Sequence, residues 1–212
     1  MILQDIINII ESVAPLSYQE DWDNSGLQVG DRNAEVHAAL LTVDVTESVV
    51  DEAINKRCDL IISHHPLLFH GLKHLTGETP QERCVEKAIR HNIAIYSSHT
   101  AMDAYIHGVS GKIADKLGIN HYQILCPTTE QNIGLGVIGT LNNPMNSDDF
   151  IRFVQDVFDC SLRYIEPPAK LITTVAICGG AGAEFIKQAI NQKADLFITA
   201  DMKYHEMQAA LG

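Results

Sequence analysis

Two adjacent histidines, His64 and His65, close the apolar run "CDLIISHH", and a third, His99, closes the next one, "NIAIYSSH", with Asp103 four residues behind it. Neutral imidazole is a common ligand of divalent transition metals, and carboxylate is its usual companion at hydrolytic centres. Three histidines and an acid drawn from two consecutive strand ends therefore point to a metal site, which no single histidine would. Asp103 could otherwise cap a following helix, and His99 could ligate, move a proton or merely orient Asp103. Neighbouring side chains of a strand point to opposite faces, so His64 and His65 would diverge if the strand ran on. Pro66 follows them, lacks an N–H and biases His65 toward extended geometry, so the backbone turns there and both rings can reach one crevice. His70, His74, His91, His107 and His121 have no such company and read as surface or hydrogen-bonded residues.

Such a crevice lies beyond the carboxyl ends of parallel strands. The chain supplies the strands: "AALLTVDV", the helical pattern "TESVVDEAINKR", "CDLIISHH", and later "NIAIYSSH" and "VAICGG" alternate as in an α/β fold. Thr79-Pro80-Gln81-Glu82 predicts a capping box opening a helix to about Asn92. Ser147, with Asp148 and Asp149, predicts a second helix start, and Gly118 a helix stop after a start near Gly108. "EAINKRCDLIISHH" from Glu52 aligns without a gap on "QAINQKADLFITAD" from Gln188, identical at six of fourteen positions. Two similar α/β halves with mainly parallel sheets follow, residues 1–128 and 129–212, with Asp201 in the place of His65.

Composition narrows the function. Twenty-seven acidic against fifteen basic residues give a formal charge of −12, which disfavours nucleic acid as a partner. Five scattered cysteines without a CxxC pair suit free thiols in a reducing compartment. "MILQDIINIIESV" has helical spacing and neither the basic start nor the cleavage site of a signal peptide, and no stretch is long and apolar enough to span a membrane. A soluble, cytoplasmic protein is expected. "CGGAGAEF" and "IGLGVIG" match neither the Walker A pattern nor GxGxxG, so their glycines are read as close-packing devices. Cys178 has no adjacent activating group and reads as a buried thiol. "EDWDNSGLQVG", Glu20 to Gly30, holds the one tryptophan and reads as either a surface loop or a site-lining one.

"DWDNSGLQVG", "LIISHHPLLF", "SSHTAMDA", "VAICGGAG" and "ITADMKYHE" together resemble the NIF-three-like family, whose members are also labelled GTP cyclohydrolase 1 type 2 homologues. The resemblance runs from the first residues to the last. It implies two similar α/β halves, a toroidal homohexamer, and two divalent metal ions per subunit, with zinc, iron and manganese all suited to such ligands. It makes His64 and His65 ligands to different metals, Asp103 the carboxylate bridging them, and His99 a catalytic neighbour assisting proton transfer. The family's remaining histidine and glutamate ligands belong to a GHxxTE-like segment that this sequence does not contain; His205, in "KYH", is given at most a cleft-lining role. The expected activity is metal-dependent hydrolysis of a nucleotide-like or phosphoester substrate. The alternative is a non-catalytic metal-binding scaffold or regulatory ring that binds protein or nucleic-acid partners.

Overall fold

The structure, a computed structural model, describes residues 1–128, 132–166 and 170–209. These form two compact units, Met1–Met102 and Asp103–Gly212. The boundary expected at 128/129 abuts residues 129–131, which lie outside the described residues, whereas the units divide between Met102 and Asp103.

The first unit runs α1 (Leu3–Val13), β1 (Gly26–Val29), β2 (Ala39–Thr42), α2 (Glu47–Lys56), β3 (Leu60–Ser63), α3 (Pro80–Arg90) and β4 (Ala94–Ser97). Its sheet has the order β1-β4-β3-β2. The strands β2, β3 and β4 are parallel, as their crossover helices α2 and α3 demand. In contrast, β1 runs antiparallel to β4, with Gly26 opposite Ser97. Helices cover both faces: Leu3 and Ile7 of α1 pack with Leu60 and Tyr96, while Val50, Ala53, Cys84 and Ala88 of α2 and α3 pack with Ile61 and Ile95. A strand buried on both faces needs consecutive apolar residues rather than alternation, which is why β3 reads Leu-Ile-Ile.

The short helix α4 (His99–Asp103) carries the chain into the second unit, which continues with α5 (Val109–Lys116), β5 (Ile119–Pro127), β6 (Gly134–Asn146), α6 (Ser147–Phe158), β7 (Leu171–Ile177), α7 (Ile186–Asn191), β8 (Leu196–Ile198) and α8 (Tyr204–Ala209). Its sheet has the order β5-β6-β7-β8 around Phe150, Ile172, Val175 and Ile177. Both units are α/β, as expected, but both sheets are mixed, and in this one, among the described residues, only β7 and β8 are parallel. For the β5–β6 pair the reason is loop length: residues 128–133 are too few for the dozen or more that a parallel crossover takes.

The internal repeat is real in three dimensions. Arg57 and Lys193, just past α2 and α7, both have positive φ, 55° and 58°. Asp59 and Asp195 then open β3 and β8 in the same way. Asp59 accepts from the amides of His37 and Ala38 at 2.8 and 3.4 Å, and Asp195 from those of Thr173 and Thr174 at 2.9 and 2.8 Å. Each acid thus ties the start of one parallel strand to its neighbour.

The local expectations are met with adjustments. Thr79 caps α3, accepting from the Glu82 amide. The Glu82 carboxylate accepts from the Thr79 hydroxyl at 3.1 Å and also from the Thr76 and Glu78 amides, rather than from the amide of the cap residue. Asn146, not Ser147, caps α6, because its side chain reaches the Asp148 amide at 3.0 Å. Gly118 follows α5 at φ 65°. Close packing explains two of the glycines, since a Cβ on Gly134 would lie 2.1 Å from the Cys126 carbonyl oxygen and one on Gly182 2.6 Å from the Cys178 Cβ, whereas Gly180 sits in open space at φ 69°. Burial pushes the Cys178 thiol up to about 12, as expected of a buried thiol.

Candidate metal centre

The first unit's topology brings four strand ends to one rim. Because β3 and β4 are parallel and in register, Ser63 opposite Ser97, the residues after them emerge side by side. Pairing runs on through the histidines, His64 N to Thr42 O at 3.2 Å and His65 N to Val43 O at 2.9 Å, and stops at Pro66. The turn is pinned underneath. The Ser63 and Ser97 hydroxyls, 2.8 Å apart and buried, both donate to the His65 carbonyl, at 2.9 and 3.3 Å. His64 and His65 therefore do not diverge, and their ring centroids are 4.9 Å apart. The His99 ring, at the head of α4, is 5.3 and 5.4 Å from theirs. One ligand nitrogen from each of the three imidazoles lies within 4.8 Å of the others.

Two acids fix the orientation of the rings. Asp44, just beyond β2, is 2.8 Å from His65 Nδ1. Asp23 precedes β1, whose antiparallel direction puts its start on the same rim, and lies 2.9 Å from His99 Nδ1. A carboxylate only accepts, so each Nδ1 donates to its acid and each Nε2 is the ring atom left to meet a ligand. The Asp23 side chain is fully buried and also accepts from the Thr100 amide and hydroxyl and from the Ser25 hydroxyl. Burial alone would raise its pKa, but hydrogen bonds from Thr100, His99 and the Asn24 amide outweigh that and hold it at about 2. The His64 pKa is also lowered, to about 4, first by burial and then by the neighbouring His65 and His99, which for an imidazole favours the neutral form. A histidine held neutral keeps its lone pair, so the donor set fits a divalent transition metal. Beside His65, a cleft of about 600 Å3 opens between Asp44 and Pro80.

A family model described as Duf34/NIF3 (NGG1p interacting factor 3) matches residues 1–212. The chain belongs to this family. A Clostridium acetobutylicum protein named GTP cyclohydrolase 1 type 2 homolog is 37% identical over 96% of this chain and 77% of its own length. Among solved structures, a Staphylococcus aureus protein described as hypothetical superposes with a TM-score of 0.92 at 30% identity, covering 99% of this chain and 82% of that one. A Bacillus cereus protein related to NIF3 gives 0.91 at 25% identity, covering 99% and 85%. The Duf34/NIF3 chain thus keeps its fold among relatives.

Of the residues expected at the site, His64, His65 and His99 converge. Asp103 stands outside this set of three and ends α4, sharing a face with His99 four residues earlier. His70, His74, His121 and His205 are exposed. Asp23 and Asp44 are the residues that sequence reading did not assign. The loop holding Asp23 was marked by its tryptophan, and Asp44 follows a strand that was located; an acid just past a parallel strand is the signal that would have nominated it.

Proposed function

We propose that this Duf34/NIF3 chain is a metal-dependent hydrolase acting on a nucleotide-like or phosphoester substrate, with His64 and His65 holding divalent metal and Asp103 supplying the bridging carboxylate of a two-metal centre. The observation that carries it is the convergence of three imidazoles, two of them oriented by carboxylates. A bound pair of divalent ions lowers the pKa of water and stabilises charge on an attacked phosphoryl group. The protein's own part is to present that site ready formed. Asp44 and the Ser63–Ser97 pair hold His65, burial keeps His64 unprotonated, and Asp23 fixes His99 with Nε2 toward the shared space. His99 there takes the proton from the attacking water and returns it to the leaving oxygen. The names of the relatives support a hydrolytic reading, and the family resemblance alone extends it to a homohexamer of this chain, which light scattering tests through a mass six times that of one chain.

The deciding experiment is elemental analysis of the purified protein, followed by a phosphoester hydrolysis screen on wild type and His65→Ala. Bound metal and hydrolysis are expected in the first, and the loss of both in the second. Hydrolysis that survives His65→Ala unchanged overturns the assignment.

A further inference from the structure

Trp22 and Phe69 lie at the site without any role in the donor set. Their rings are 5.7 Å apart and tilted by 40°, and each meets His99 edge to face, at 6.0 and 6.2 Å. Trp22 is 58% exposed and Phe69 40%, so neither is a core residue. They are nonetheless held in place. Trp22 precedes the buried Asp23, and the next residue, Asn24, donates to the Leu68 carbonyl at 2.6 Å. Leu68 donates from its amide to Gln28 Oε1 at 3.2 Å, so β1 and the loop before it brace the residue next to Phe69 from both sides.

We propose that Trp22 and Phe69 hold a planar aromatic ring of the substrate, stacked on their open faces beside His99, so that the reacting phosphoester attached to the ring reaches His64 and His65. This rests on the hydrolase reading and adds its substrate class: an aromatic or nucleobase-bearing phosphoester rather than an alkyl or sugar phosphate. A large exposed indole costs free energy in water, and a chain that only needed a surface loop would not cross-brace it. The exposed surface is two rings wide and lies against imidazoles, which suits one small ring better than a protein partner. Aromatic pairs in offset or edge-to-face geometry gain beyond the area they bury, and every nucleobase has a face to offer.

Trp22 is the only tryptophan of the chain, so its emission reports on this place alone. The probes are AMP, phenyl phosphate and ribose 5-phosphate, added to zinc-loaded and to zinc-free protein, with zinc content measured in parallel. AMP and phenyl phosphate are expected to change the emission saturably, and ribose 5-phosphate to bind more weakly by at least about tenfold. Phe69→Ala is expected to weaken AMP binding about tenfold. Equilibrium dialysis of AMP should show a similar loss in Trp22→Leu and its recovery in Trp22→Phe, with zinc content at the wild-type level in all three. Ribose 5-phosphate binding as tightly as AMP, or Phe69→Ala binding AMP like wild type, overturns the proposal. Failure of the metal reading looks different: no zinc is retained, while AMP still alters the emission of zinc-free protein.

Discussion

The Asp23 carboxylate accepts hydrogen bonds from an imidazole, two hydroxyls and backbone amides, which is what lets an acid be buried at low cost. Asp23→Asn keeps the shape but puts an NH2 among donors, so at least one N–H or O–H loses its partner and His99 loses its fixed tautomer. Metal affinity should fall about 10–100-fold, measured by competition with a chromophoric chelator. Stability should fall with it by about 1–3 kcal/mol in urea unfolding. Unchanged affinity with lost stability would make Asp23 a loop anchor and nothing more. Asp44→Asn should cost less affinity, because Asp44 and His65 are 65% and 48% exposed and water competes for their contact. The histidines were legible in sequence because each lies at a strand end that local pattern locates. The acids were not, because the contacts that define them span 76 and 21 residues and exist only once the sheet has formed.

At the scale of elements, the two halves share a device that makes a clear prediction. Asp195→Ala leaves the Thr173 and Thr174 amides without their acceptor at the point where β7 meets β8. The loss should be about 1–3 kcal/mol in denaturant unfolding, and a value near zero would mean that water replaces the carboxylate freely. Glu82 gives a pH-dependent counterpart at the head of α3. Hydrogen bonds from the Thr76 amide and hydroxyl, then from Thr79 and Glu78, hold it at about 2 against an ordinary 4.5, overcoming burial. A depressed carboxylate adds stability that is fully present above its ordinary value and lost as pH falls toward the folded one. Urea midpoints measured from pH 5 down to about 2 should therefore fall more steeply for wild type than for Glu82→Gln; parallel curves would show that the network forms equally with a protonated acid. The helices and the parallel strands of the first unit were legible, because capping residues, apolar runs and crossover lengths agree, whereas β1 lies in a stretch read as a loop. Strand direction in the second unit was not, since alternation in β5 and β6 looks the same either way and only the short connection between them decides.

For the whole molecule, charge separates a hydrolase from a scaffold that binds nucleic acid. Binding a phosphate backbone takes several lysines and arginines on one surface, and its affinity falls steeply with salt. Here fifteen basic residues face twenty-seven acidic ones. Several are already committed to acids: Lys56 to Glu52, Arg83 to Glu47, Lys87 to Asp51, Arg90 to Glu86 and Arg152 to Asp149. Each such pair is worth little as stability, but it removes a cation from any basic stripe. A small phosphoester needs no stripe, since a metal centre supplies the positive charge at a single point. Fluorescence anisotropy of a labelled single-stranded oligonucleotide at about 0.15 M salt should accordingly show no binding, and any binding at lower salt should vanish as salt is raised. Tight binding that persists at that salt would require a basic surface built by assembly of several chains, and would favour the scaffold over the enzyme.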